Sequence, residues 1–89
     1  MSVILAHGGM KIEIVADLDP KLWKPGDIVT RDGTDEQMIV SIDGSDPTDL
    51  VLVRCIKEPT LYEGTTEPWC RIGEEESNLV RRYSFVRGA

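Results

Sequence analysis

A chain of 89 residues, 40% hydrophobic and 29% charged, has room for one modest core and no second lobe. That balance argues against wholesale disorder, and no apolar run approaches the roughly 20 residues of a membrane span. The formal net charge of −6 disfavours partners with phosphate backbones.

The opening MSVILAHGG has a short apolar patch without a basic n-region, which is not the pattern of a secretion signal and points to a cytoplasmic protein. Residues 1–10 read as a flexible N-terminal arm and residues 11–89 as one domain. Lys11 to Val15 alternates polar and apolar residues, the period-2 signature of a half-buried strand. Pro20 then breaks the ladder. Lys21 to Pro25 reads as one helical turn, with Leu22 or Trp23 plugging the end of a barrel. Asp27 to Arg31 is a strand rich in β-branched residues, and Asp32-Gly33 is a strong turn signal. Gln37 to Asp43 follows, with Met38, Val40 and Ile42 on one face and Ile39 on the other.

After a Gly44–Thr48 turn, Leu50 to Ile56 is the most apolar run, which predicts a central strand covered on much of both faces. Arg54 interrupts it and calls for an edge position or a carboxylate partner. Lys57 to Pro68 is a protruding irregular loop with Leu61 and Tyr62 near its tip. Trp69 to Ile72 reads as a strand pairing back, Gly73 to Asn78 as a turn, and Leu79 to Val86 as a last strand. The expected fold is all-β, a small SH3-like barrel of five to six short antiparallel strands.

Trp23-Lys24-Pro25-Gly26-Asp27-Ile28-Val29, then Met38-Ile39-Val40 after a glycine turn, then a Val-rich strand, then Trp69, resembles the order of elements in small YodC-like proteins. Those are short bacterial and phage-encoded chains of unassigned function with an SH3-like barrel. Glu76-Ser77-Asn78-Leu79-Val80 is similar to the turn and final strand that shut an SH3-type barrel. The resemblance implies a fold and carries no catalytic residue with it, and the loop at 57–68 is longer than its pattern.

Catalytic roles are hard to assemble from these residues. The one histidine, His7, lies in the arm, and neither cysteine has an adjacent base. Asp35-Glu36 and Glu74-Glu75-Glu76 fall in turns, and no Cys or His spacing fits a metal. The expectation is a non-enzymatic protein without cofactor or metal. Cys55 and Cys70 read as small buried hydrophobes, or as one bridge between neighbouring strands if oxidised.

Three binding readings remain. The leading one is a protein–protein interaction module docking through the 57–69 region, with Leu61, Tyr62 and Trp69 as anchors unless Tyr62 folds back as a lid. The second is a nucleic-acid-binding face of Arg54, Arg71, Arg81, Arg82 and Arg87, in which Arg54 and Arg71 are cross-strand neighbours. The third is a phosphate-mimicking acidic face of Asp32, Asp35, Glu36, Asp46 and Asp49. It rests on residues 27–50, where seven acids stand against Arg31 alone and account for the whole net charge. An unpaired edge, Lys11–Val15 or Val80–Val86, also offers a second copy a place to pair as a homodimer.

Overall fold

The computed structural model describes residues 18–89 in full and, before them, the backbone of strands β1 (Ser2–His7) and β2 (Met10–Val15). Of the arm expected over residues 1–10, residues 1, 8 and 9 lie outside the described residues, while residues 2–7 and 10 have the backbone of paired strands. Where the backbone is described, β1 runs antiparallel to β2, from Ser2 opposite Val15 to His7 opposite Met10. Lys11–Val15 is therefore not a barrel strand: it belongs to a separate two-stranded sheet. Alternation in sequence sets a strand's faces but does not choose its partner.

The remaining strands are β3 (Ile28–Thr30), β4 (Glu36–Ile42), β5 (Leu50–Lys57), β6 (Glu75–Leu79) and β7 (Ser84–Arg87). They form one antiparallel sheet in the order β6-β5-β4-β3-β7. A 3₁₀ turn over Val80–Arg82 separates β6 from β7. This is the all-β, SH3-like arrangement expected, left open between the edge strands β6 and β7. Bulges at Ile28/Val29, Glu36/Gln37 and Ile39/Ser41 bend the sheet around its core.

That core is Trp23, Val29, Ile39, Val51, Val53, Val80 and Tyr83, with Leu18, Ile42 and Phe85 packed against it. Trp23, not Leu22, takes the plugging position, and its indole N–H donates to the Leu18 carbonyl at 2.9 Å. Two strands depart from the sequence reading in their faces. In β5 Val51, Val53 and Cys55 are buried, Leu52 and Ile56 on the other face are half-buried, and Leu50 and Arg54 are exposed, so the second face is covered only in part. In β4 Gln37 and Ile39 point inward, and the bulge at Val40 lets Ile42 rejoin the core three residues on. Met38, Val40 and Ile42 thus do not share one face.

Two further expectations are corrected. Trp69–Ile72 is not a strand, and the Gly73–Asn78 turn is mostly β6. Leu79–Val86 divides between the end of β6, the 3₁₀ turn and β7. The cause is backbone pairing: β6 lies along β5 from Leu50 opposite Leu79 to Arg54 opposite Glu75. An edge strand of this kind needs hydrogen bonds and no apolar face.

The Lys24–Asp27 turn shows how a buried carboxylate closes this fold. Pro25 supplies the fixed φ, Gly26 at φ 94° supplies the left-handed residue, and the Asp27 amide donates to the Lys24 carbonyl at 3.1 Å. The Asp27 side chain is buried and accepts from the Lys24 amide at 3.0 Å and from the Ala89 amide at 3.1 Å. It ties the start of β3 to the residues beyond β7. Asp27→Ala leaves both amides without their acceptor and is expected to cost about 1–3 kcal/mol in urea unfolding. A change below about 0.5 kcal/mol would mean that water replaces the carboxylate at no cost.

Candidate functional site

The turn between β3 and β4 carries two aspartates with opposite tasks. Asp35 is buried: its Oδ1 accepts from the Thr30 hydroxyl at 2.7 Å and from the Arg31 and Asp32 amides at 3.0 Å each. Its Oδ2 accepts from Gln37 Nε2 at 2.8 Å. Asp32 faces the other way. Its Oδ1 accepts from the Thr34 amide and hydroxyl, and its Oδ2 accepts from the Trp69 indole N–H at 3.1 Å. Burial pushes the Asp32 carboxyl up, but the Thr34 and Trp69 hydrogen bonds outweigh it and hold it well below the usual carboxylate range.

This turn is what fixes the long loop from Glu58 to Glu74. The Thr34 hydroxyl accepts from the Thr60 amide at 2.9 Å, and Arg31 stacks over the Trp69 ring at 5.0 Å while pairing with Glu76 at 3.0 Å. Within the loop, Thr65 N–H and O–H both donate to the Tyr62 carbonyl, and Glu58 accepts from the Ile72 amide at 3.2 Å. Gly73 at φ 92° turns the chain into β6, with the Glu74 amide donating to the Arg71 carbonyl.

So held, the loop turns its apolar groups outward. Leu61 is 48% exposed, Tyr62 65%, Trp69 45% and Ile72 65%. Tyr62 does not fold over the barrel as a lid. Pro59, Leu61, Tyr62, Thr65, Pro68 and Trp69 surround a cleft of about 160 Å³. A second, open cleft of about 360 Å³ lies beside it between Arg31, Asp32 and Trp69. Leu61, Tyr62 and Trp69 are thereby brought to one surface. Ile72 is exposed as well, and its place within a run expected to be strand kept it from being read as a surface residue.

Trp69→Phe removes the donor to Asp32 and keeps an aromatic face for Arg31. Losing one such bond is worth about 1 kcal/mol, or roughly fivefold in loop opening. Cleavage within residues 58–68 under limited proteolysis is expected to rise by about that factor, with the thermal midpoint moving by only a few degrees. Equal cleavage of both proteins would show that the indole bond does not hold the loop.

The arginines are not assembled into one face. Arg54 lies opposite Glu75 on β6 and donates to its carboxylate at 2.8 Å, so its neighbour is an acid and not Arg71. Arg71, off the sheet, pairs with Glu67 at 3.8 Å, and Arg87 with Glu36 at 2.9 Å. Arg81 and Arg82 sit on the 3₁₀ turn and make no ion pair among the described residues.

The acidic face is likewise depleted. Asp35 is inside, so it does not project outward as its turn position suggested. Asp32 is engaged with Trp69, and the Arg87 hydrogen bond lowers the Glu36 carboxyl. Asp49 accepts from the Asp46 amide at 2.9 Å, and Asp46 is exposed.

Cys55 and Cys70 do meet, with their sulfurs 3.2 Å apart and both free. Cys70 lies on the loop rather than on a neighbouring strand. Burial, then the hydrogen bond with Cys55, pushes the Cys70 thiol up to about 12. No group of three or more metal-ligating side chains occurs among the described residues. No helix among them is long and apolar enough to cross a membrane. No protein-family model, curated protein or solved structure matches this chain.

Proposed function

We propose that this chain is a non-enzymatic accessory protein, an interaction module that docks on another protein through the 57–69 region. The observation that carries this reading is the set of exposed Leu61, Tyr62 and Trp69 side chains around one cleft in an internally hydrogen-bonded loop. Large apolar groups already held in place lose little freedom on binding, which is what makes aromatic anchors effective. The rim adds a preference. Its charge is mixed, with Glu58, Glu63 and Glu67 set against Lys57, Arg71 paired with Glu67, and Arg31 over Trp69, so the preference is for a partner that supplies apolar side chains to the cleft.

Catalysis is not the favoured use of this surface. The Cys70 thiol is pushed up to about 12, the opposite of an activated nucleophile. Affinity capture of tagged protein from native lysate, with nuclease treatment, tests the reading. A defined protein partner should survive nuclease, and Leu61→Ala and Tyr62→Ala should each lower its recovery about tenfold, as expected of a central anchor. Recovery unchanged by both substitutions would overturn the docking site. Material lost on nuclease treatment would transfer the function to Arg81, Arg82 and a nucleic-acid partner.

A further inference from the structure

A chain of hydrogen bonds runs through the interior behind the docking loop. Gln37 Nε2 donates to Asp35 and to Cys70 Sγ at 3.2 Å, Cys70 Sγ donates to Cys55 Sγ at 3.2 Å, and Cys55 Sγ reaches the Lys57 carbonyl at 3.5 Å. Cys55 is buried in β5, whereas Cys70 is only partly covered and sits on the tethered loop. The backbone around them is already paired: the Cys55 amide donates to the Glu74 carbonyl at 2.9 Å, and the Gly73 amide to the Cys55 carbonyl at 2.9 Å. Two thiols in contact, one reachable from solvent and the other behind it, are an arrangement that packing alone does not require.

We infer that Cys55 and Cys70 form a dithiol site that is oxidised by a low-molecular-weight disulfide, closing a bridge that fastens the loop to β5. The Cys70 thiolate attacks one sulfur of the small disulfide, its S–S bond breaks, and one thiolate leaves and takes up a proton. The Cys55 thiolate, its proton given to solvent, then attacks Cys70 Sγ of the mixed disulfide and expels the second thiol. Two protein thiols lose two hydrogens, and the small disulfide is reduced to two thiols. Because the attacking species is the thiolate, the raised Cys70 pKa makes the reaction slow near neutrality and faster as pH rises towards 9. Residues 56–69 are enclosed by the bridge, a loop of the length for which a cross-link measurably restricts the unfolded chain.

The test uses the full chain and oxidised glutathione, and its chemical readout does not depend on the docking reading. Incubation at pH 8.5 should remove two hydrogens without adding mass. Trypsin under non-reducing conditions should then release residues 55–57 joined to residues 58–71, because Arg54, Lys57 and Arg71 bracket them. The thermal midpoint should rise by roughly 10 °C and return on treatment with dithiothreitol. Cys70→Ser keeps an acceptor for Gln37, should fold as the parent does, and should leave Cys55 unmodified. A stable glutathione adduct on Cys70, a disulfide-linked dimer, or two thiols still free after exposure would each overturn the site.

Discussion

Asp35→Ala is expected to destabilise the fold by at least about 3 kcal/mol, a large share of the 5–15 kcal/mol typical of a small domain. The carboxylate is 1% exposed and accepts from a hydroxyl, two backbone amides and the Gln37 side chain. Hydrogen bonds to a charged acceptor are the strong ones, and their loss leaves buried donors that water does not reach. The consequence spreads, because the same turn presents Asp32 to Trp69 and Thr34 to Thr60. Asp35→Asn is the informative companion. Its amide oxygen still serves the Thr30, Arg31 and Asp32 donors, but its nitrogen meets the Gln37 amide donor head-on. Relief requires Gln37 to turn its oxygen towards Asn, which withdraws the donor from Cys70. About half of the loss is therefore expected to return, measured by urea unfolding. If Asp35→Ala unfolds within about 1 kcal/mol of the parent, the carboxylate is not the centre of the turn.

The elements that were legible are those whose signals are local. Lys24-Pro25-Gly26-Asp27 and Asp32-Gly33 specify turns through fixed φ and left-handed residues, and β3, β4 and β5 lie where their β-branched runs place them. The polar stretch Glu75–Leu79 was not legible, since it is a strand only because β5 offers it a ladder. Nor was the bulge at Val40, which exchanges the faces of β4 without a glycine to mark it. Ser2–His7 was not legible either, since its partner strand Met10–Val15 carries the alternation and Ser2–His7 does not.

The site followed the same division. Leu61, Tyr62 and Trp69 were legible as a group because they stand within nine residues, in and beside a loop punctuated by Pro59 and Pro68. That Asp32 is bound to Trp69 was not, because its partner comes from distant sequence, and the burial of Asp35 was not, because its donors, though local, converge on it only once the turn is folded. Turn aspartates read as solvated charge until their donors are known. The two roles differ by three residues and by the direction each carboxylate faces.

Stability is expected to fall steeply above pH about 9, from two groups that hold their protons more firmly folded than unfolded. Burial, then the neighbouring Cys55 thiol, raises Cys70 from 9.0 to about 12. Burial, then the charge of Glu76 to which its hydroxyl donates at 3.4 Å, raises Tyr83 above its ordinary value. For both, the native state binds more protons than the unfolded chain once pH passes the unfolded value. Their stabilisation is thus complete below pH about 9 for Cys70 and about 10 for Tyr83, and it is lost as pH rises through the folded values. Together they withdraw on the order of a few kcal/mol by pH about 12. Asp32 and Glu36 behave in the opposite sense: their lowered values give stability that is present above the ordinary carboxylate range and lost in acid. Urea midpoints of the reduced protein between pH 3 and 11 should therefore form a dome whose two limbs have different owners. Cys70→Ser and Tyr83→Phe should each flatten the alkaline limb and leave the acid limb in place. An alkaline limb of unchanged slope in the double variant would assign the loss to other groups, and with it would go the claim that these two protons are held by the fold.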